Sequence, residues 1–490
     1  MSVALIILLV TPLLLIFVYV KQKYAYWSRQ NVPFMEPHFP YGNFKDLNRK
    51  STADVSQDAY RQMKDVGPFY GAYFFLQPLI IVTDVDLIKT IFIKDFNFFP
   101  DRGVYFNERD DPLTAHMFAI EGNKWRSLRQ RLTPTFSSGK MKMMFPTLAA
   151  VGDNFSDFLV KEIGQGQVVE VKDFMARFTI DIIGSCAFGI ECNSFKDPHG
   201  RFREFGKRVF ETPRNSQLVR LGLILFPELG RRLRVKALQD DASEFFYGVV
   251  KDTVAYREKN AVERKDFLSL LLDMKKDGVD FTMDEIAANS FIFFAAGFET
   301  SSSNQTYCLY ELALHPEYQE KARQCVLKAL KKHGSMTYEA VCDMQYLDQC
   351  INETLRLYPS VPVLERRAFR DYKIPGHDLV IPKGMKVQIP AFAIHRDERH
   401  YPDPEVFDPD RFHPEEVAKR HICTFLPFGE GPRICIGLRF GMMQSRVGLA
   451  TILSKFRFST CSKTLIPLEY SSKSFILTPR EGLWLRVEPL

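Results

Sequence analysis

Pro427-Phe428-Gly429-Glu430-Gly431-Pro432-Arg433-Ile434-Cys435-Ile436-Gly437 is the stretch on which the reading of this chain turns. It contains F-x-x-G-x-R-x-C-x-G, from Phe428 through Gly431, Arg433 and Cys435 to Gly437. With ordinary residue usage such a pattern arises by chance in a chain of this size on the order of once in ten thousand. Gly429 and Gly431 permit a tight loop whose backbone can approach a flat cofactor. Leu438, Phe440, Met442, Met443, Val447, Leu449 and Leu453 follow as a periodic apolar run. The Cys435 sulfur is therefore expected near a helix N-terminus, where free amides and the helix dipole lower a thiol's pKa. A metal-ligating thiolate is the sharp reading, and a buried structural cysteine the plain one.

On these residues the loop resembles that of the cytochromes P-450. The resemblance implies haem b (iron protoporphyrin IX) with Cys435 as the metal ligand, since thiolate ligation favours O–O cleavage. It also implies Arg433 against a haem propionate and Phe428 beside the sulfur, with Gly437 among the cofactor-binding residues. Upstream, Glu353-Thr354-Leu355-Arg356 is E-x-x-R in a helical run from about residue 347 to 358, and Phe407-Asp408-Pro409-Asp410-Arg411-Phe412 lies between it and the loop. Alone, a Glu–Arg pair at i,i+3 is common surface decoration. In that order, Glu353, Arg356 and Arg411 match the family's buried network behind the haem, which implies a role in structure and haem retention. Trp125-Arg126-Ser127-Leu128-Arg129 resembles the family's W-x-x-x-R helix. Trp125 and Arg129 share a helical face, so indole N–H and guanidinium could both reach a propionate. Arg366, with Arg367 next to it, matches a further propionate arginine.

Ala296-Gly297-Phe298-Glu299-Thr300 resembles the family's oxygen-binding motif. Gly297 is expected to open space for dioxygen and to weaken the helix locally, freeing a carbonyl for water. Thr300 beside Glu299 suits general-acid delivery of protons. The plain alternative is an ordinary polar pair on a helix. The motif sits midway along a long helix: Thr282-Met283-Asp284-Glu285 is a capping box, and no proline interrupts until Pro316. Such a helix runs about 48 Å.

Residues 178–189, Phe-Thr-Ile-Asp-Ile-Ile-Gly-Ser-Cys-Ala-Phe-Gly, together with Asn352 ahead of the E-x-x-R, resemble insect microsomal members of the xenobiotic-metabolising clan, family 6. That implies monooxygenation of lipophilic compounds such as plant toxins and insecticides, driven by NADPH and O2 through NADPH-cytochrome reductase, and leaves open cytochrome b5 as a second donor. A dedicated oxidation of a hormone, fatty acid or pheromone precursor is the alternative. Two further rivals are a haem-thiolate isomerase, against which Glu299-Thr300 speaks, and a membrane-bound haem sensor. Candidate cavity residues are Tyr105, Phe106, His116 and Phe118, then Phe291, Phe294 and Ala295, then Val361 to Leu364, and Phe475-Ile476. Each of the apolar ones could equally be core. Lys124, Arg126, Arg131, Lys140 and Lys142 could face an acidic reductase or simply water.

Composition sets the frame. The 490 residues are 46% apolar and 25% charged, which is globular usage, and 43 phenylalanines suit a ring-rich core or a ring-walled cavity. A net charge of +6 over this length is too weak to suggest nucleic acid. Nine cysteines without C-x-x-C or zinc spacing fit buried thiols in a reducing compartment. Val3 to Val20 are almost all apolar and would span about 27 Å as a helix. Lys21, Lys23 and Arg29 follow, with Tyr24, Tyr26 and Trp27 as an interfacial belt. Residues 1–20 are thus expected to be an uncleaved anchor in the endoplasmic reticulum membrane, with the remainder on the cytosolic face. Residues 21–44 read as a proline-stiffened linker and 45–490 as one haem-thiolate catalytic domain.

The expected fold is mainly α with a smaller β subdomain, the haem lying between the long helix and the cysteine loop. Strands are expected at residues 70–75 and 79–83 around a Gln77-Pro78 turn, at 372–374, 378–381 and 386–389, and in the last 30 residues.

Overall fold

A computed structural model describes residues 3–164, 166–262 and 264–490, with the side chains of residues 3–10 and 211 outside that description. The expected anchor at 1–20 falls partly on those undescribed positions. A helix runs Val3–Tyr24; among the described residues none is long and apolar enough to cross a membrane. Residues 27–44 are stitched to the body. Trp27 is buried and its indole donates to the Ala72 carbonyl at 3.0 Å. Met35 and Gly71 complete a backbone exchange in which Met35 N donates to Gly71 O and Gly71 N to Pro33 O.

Helices dominate, and the central one is Met283–Leu314. Its capping box forms as the sequence implies: Glu285 N donates to Thr282 Oγ1, and Thr282 N to Glu285 Oε2, both at 3.1 Å. Nearly all of its surface is covered, which suits a helix apolar on most sides and flanked by Val171–Ile183, Asp240–Asn260, Gln345–Leu357 and Leu438–Leu453.

The sheets are built from chain-distant strands. β1 (Phe69–Phe74) pairs antiparallel with β2 (Gln77–Val82), which runs parallel to β7 (Lys386–Ile389), and β4 (Leu364–Arg367) closes the far edge. The β1–β2 turn falls on Phe75 and Leu76, not on Gln77-Pro78. Pro78 stands inside β2 opposite Tyr73, and β7 engages only Leu79 to Ile81, so no partner asks Pro78 for an amide. β3 (Gln167–Glu170), β9 (Trp484–Pro489) and β8 (Phe456–Ser459) make a second sheet. β5 (Tyr372–Lys373) and β6 (Val380–Ile381) form a short hairpin. Of the last 30 residues only β9 is a strand; residues 460–483 are irregular backbone with turns and bends and one isolated bridge, Tyr470 to Pro479.

The phenylalanines serve both expected purposes. Phe188, Phe202, Phe246 and Phe294 pack against one another in the core at mixed ring angles, with ring centroids 5.1–6.2 Å apart. Phe118, Phe293, Phe428 and Phe440 instead wall a cavity between the central helix and the cysteine loop.

Candidate active site

That cavity encloses about 1300 Å³. Ala296, Gly297 and Thr300 supply one wall, and Phe428, Cys435, Ile436 and Gly437 another. Local backbone chemistry aims the cysteine. Gly431 has φ +74°, and a Cβ there would run into the Phe92 carbonyl, so only glycine fits. Cys435 N donates to Phe428 O at 2.9 Å, closing the loop. Helix Leu438–Leu453 starts immediately afterwards. Cys435 opens onto the cavity while the other eight cysteines lie elsewhere, apart from Cys186 on its far wall.

The thiol pKa departs from expectation. Burial pushes it up, and this outweighs the downward pull of the Gly437 amide, Arg102 and Arg129. A helix end alone does not make this sulfur a thiolate; a cation bonded to it does.

Three guanidiniums line the same cavity with too little negative charge around them. Arg366 is buried, its Nε has no partner, and burial pulls its pKa down to about 9. Arg129 makes no side-chain hydrogen bond among the described residues, and the Trp125 indole N–H beside it is equally free. Burial pulls Arg129 down too. Arg102, held by the Phe118 and Arg433 carbonyls at 3.1 and 3.0 Å, is pulled down to about 10. Cations held this way are stabilised by anions. The two propionates of a haem supply that charge, and the donor set therefore fits it. The strand alternation of β4 settles which arginine faces inward: Arg366 lines the cavity, whereas Arg367 turns to Glu121 at 2.5 Å.

Arg433 touches the cavity but commits its donors to protein. It donates to the carbonyls of Pro100 (2.7 Å), Met117 (3.3 Å) and Ile120 (3.0 Å), and lies 3.8 Å over the Trp125 ring. Its first role is to brace the cysteine loop against residues 100–120. Arg102, on the buried side of the cavity, is a cation that sequence reasoning missed. Its only local signal is a charged residue between Asp101 and Gly103 in the loop before the W-x-x-x-R helix.

On the opposite wall the helical phase sorts the motif. Thr300 lines the cavity and donates to the Ala296 carbonyl at 2.6 Å. Glu299, one position earlier, is buried off the cavity and paired with Lys172 at 2.7 Å. Gly297 lines the cavity, but a Cβ there would strike Ile183, so glycine also permits close packing of the two helices. Its carbonyl is not free for water: it accepts from Gln444 Nε2 at 2.8 Å.

Among the candidate cavity residues, Tyr105, Phe118, Val361, Val363, Leu364 and Phe475 do line it. Phe106, His116, Phe291, Phe294, Ala295, Pro362 and Ile476 do not. Phe291, Phe294 and Ala295 face the ring cluster, while Ile292 and Phe293 turn to the cavity. The basic residues considered for a reductase are mostly engaged: Lys124 with Glu108, Arg126 with Asn97, Arg131 with Glu285 and Lys142 with Glu339.

Behind the cysteine loop Glu353 and Arg356 form a closed, buried pair, while the Arg411 Nε beside them has no hydrogen-bond partner among the described residues. Arg356 donates twice to Glu353, at 2.7 and 2.8 Å, and to the carbonyls of His395, Pro404 and Val406. Arg411 Nε stands 3.5 Å from Glu353 Oε1. His395, unnoticed in the sequence, joins this network to the loop. One ring nitrogen bonds the Arg356 carbonyl at 3.0 Å, and the other accepts from Leu426 N at 2.7 Å, which fixes the neutral tautomer.

Comparison with known proteins agrees with this geometry. The family model described as Cytochrome P450 matches residues 32–486. The chain is similar to "Cytochrome P450 6a2" of Drosophila melanogaster, 47% identical with 100% of both chains covered. It is also similar to "Cytochrome P450 6a9" of the same fly, 46% identical over 94% of each, and to "Cytochrome P450 6A1" of Musca domestica, 43% identical over 96% of this chain and 95% of the relative.

Proposed function

Since the chain belongs to the cytochrome P450 family and is a haem-thiolate monooxygenase of the insect family-6 type, we propose that its substrates are structurally varied lipophilic xenobiotics, plant toxins and insecticides among them. The family implies haem as cofactor, with O2 and NADPH used through a reductase, and a small-molecule substrate. Bound haem supplies the activation of dioxygen.

The observation that carries the substrate reading is the wall of the cavity. Around Cys435 and Thr300 it is mostly apolar, with Phe118, Phe293, Val361, Val363, Leu364 and Phe440 near the chemistry. Among the described lining residues the uncharged polar side chains there, Thr300, Ser301, Asn304, Gln444 and Ser445, belong to two packed helices, and a wall dominated by apolar side chains discriminates weakly between lipophilic substrates. This chain's residues would then act in simple ways. Cys435 holds the iron. Arg366, Arg129 and Trp125 orient the propionates. Thr300 presents Oγ1 to the cavity, where it holds and passes a proton. Glu299 feeds protons to it only if its pairing with Lys172 opens.

The reading extends to the membrane. Leu218 and Ile224 both line the cavity and stand exposed beside Phe226, Leu229 and Leu233, a ledge that would sit against acyl chains. With the apolar N-terminal helix and Lys21 and Lys23 behind it, this supports attachment to the endoplasmic reticulum membrane, body on the cytosolic side. Cytochrome b5 as a second donor is part of the same proposal.

The test is NADPH-dependent product formation with purified reductase across furanocoumarins, pyrethroids, fatty acids and steroids. Turnover of several unrelated compounds is expected. A single good substrate would instead indicate a dedicated biosynthetic step.

A further inference from the structure

The central helix Met283–Leu314 is covered over nearly all its surface, and a helix so placed is expected to be apolar all round. One of its faces is not. Thr300, Asn304, Tyr307 and Glu311 stand at i, i+4, i+7 and i+11, so they form a single polar stripe. Asn304, Tyr307 and Glu311 are buried. The stripe begins in the cavity, which Thr300 and Asn304 both line. It ends one turn beyond Glu311 at His315, whose side chain is 31% exposed and whose Nδ1 lies 3.6 Å from Glu311 Oε2.

Hydrogen bonding is complete at the far end of this stripe and broken in its middle. Tyr358, just past the helix Gln345–Leu357, donates its hydroxyl to Glu311 Oε1. It also stacks on Tyr307, with ring centroids 4.4 Å apart and planes 7° from parallel. Tyr307 Oη and Asn304 Oδ1 have no hydrogen-bond partner among the described residues, nor has Gln444 Oε1 across the cavity. Helical side chains lean toward the N-terminus, so the Tyr307 ring leans from the Glu311 end toward Asn304. Buried polar atoms of this kind are ordinarily satisfied by ordered water. Burial also raises the Glu311 pKa, against the pull of the Tyr358 hydroxyl and His315, which suits a carboxylate that takes up a proton.

We propose that this stripe is a second proton path to Thr300, entering at His315 and passing Glu311, Tyr358, Tyr307 and Asn304 with water in the gaps. This path rests on the monooxygenase reading, in which Thr300 passes protons, and supplies what Glu299 withholds while Lys172 holds it at 2.7 Å. A proton added to Glu311 leaves through Tyr358, which accepts it on Oη as its own hydroxyl proton moves to water beside Tyr307. Tyr307 repeats the exchange toward the water held by Asn304 Oδ1, next to Thr300. Each proton entering at the surface is matched by one delivered to Thr300 Oγ1, and no group is left changed. Neither phenol need ionise, although burial holds both well above their usual pKa.

The test uses full-length holoenzyme with purified reductase and the compound of the panel above that turns over fastest. In a Glu299→Gln background, Tyr307→Phe and Glu311→Gln should each lower product per NADPH about ten-fold relative to Glu299→Gln alone. That is less than the hundred-fold or more that a positioned acid contributes, because bulk water replaces part of it. Each should also raise the solvent deuterium isotope effect on product formation, as proton delivery becomes the slow step. Glu311→Gln keeps its shape and an acceptor for Tyr358, and Tyr307→Phe keeps the stacked ring. A merely structural role would therefore leave both readings where they were, and unchanged values would overturn the proposal.

A crystal structure of the holoenzyme gives a readout free of turnover. Ordered water bonded to Tyr307 Oη and Asn304 Oδ1 is expected there, and a dry seam between them would overturn the path. If Glu311→Gln folds poorly, Tyr307→Phe alone decides, since it removes a hydroxyl that bonds no described group. Unchanged coupling in Thr300→Ala would instead defeat the underlying reading. Uncoupling by Thr300→Ala, with Tyr307→Phe left at the level of its background, would sink the second path alone.

Discussion

The two sides of the cysteine loop are built on opposite principles. Behind it, Glu353 and Arg356 are wholly buried, and the arginine spends its donors on a carboxylate and three carbonyls. In front of it, Arg366, Arg129 and Arg102 are held with unmet charge. At the rear the Glu353–Arg356 pair is satisfied by protein groups alone. The front is complete only with anions that the chain does not contain. Substitutions behind the loop should therefore cost the fold, and substitutions in front should cost ligands.

The largest expected effect is behind the loop. Arg356→Ala leaves Glu353 buried without its cation, a loss of about 3–5 kcal/mol, to be read by denaturant unfolding of both haem-free and haem-loaded protein. Equal stability to the native chain would mean that the rear network does not hold the fold.

His395 sharpens the same side. His395→Leu leaves the Leu426 N–H without its acceptor and the Arg356 carbonyl without its ring donor, at about 1–3 kcal/mol for each group stranded. It also carries a pH signature. Burial, with Arg356 and other cations nearby, pushes the ring down to about 3 from 6.5. Between those values the unfolded chain binds the extra proton and the folded one does not. Stability therefore falls as pH falls through that window, by at most about 1.4 kcal/mol per unit. His116, half-buried and also pushed down to about 3, adds a second proton to the slope. His395→Gln should flatten the dependence by one proton; an unchanged slope would mean the ring is not held neutral.

In front of the loop the loss should shift from fold to ligand. Arg366→Leu removes a buried Nε donor without a partner and gives up only the bond to the Glu365 carbonyl and the contact over the Phe92 ring, so the haem-free chain should lose little stability. Haem retention should drop about ten-fold, the worth of a charge-assisted hydrogen bond, measured by haem transfer to apomyoglobin. A loss of stability without loss of haem would place Arg366 with the rear network.

Thr300→Ala should change stability least, because its hydroxyl bonds only within its own helix. Its effect is expected in coupling: peroxide release per NADPH should rise. Unchanged coupling would remove Thr300 from proton delivery.

What the sequence made legible follows the same division. The cysteine loop, E-x-x-R and the capping box at Thr282 are contiguous, and each depends on spacing that a helix or tight loop converts directly into geometry. Arg102 and His395 escaped notice because their partners lie far along the chain: Arg102 meets Arg433, and His395 meets Leu426. Phe291, Phe294 and Ala295 were assigned to the cavity because they stand close to the motif in sequence. A helix turns about 100° per residue, and that rotation gives the cavity to Ile292, Phe293 and Ala296 instead. The same rotation carries Glu299 away from Thr300. The net direction of the thiol's shift was illegible for a different reason: a helix terminus is visible in a sequence, and the Gly437 amide does pull the thiol down, whereas the burial that outweighs it belongs to the packed molecule.

The most direct test of the account is the spectrum of the reduced carbonyl complex, recorded for the native protein and for Cys435→Ser. The native protein should show the strongly red-shifted Soret band of thiolate-bound haem, and Cys435→Ser should lose it while still folding. Retention of that band in Cys435→Ser, or an imidazole-type band in the native protein, would contradict Cys435 as the ligand.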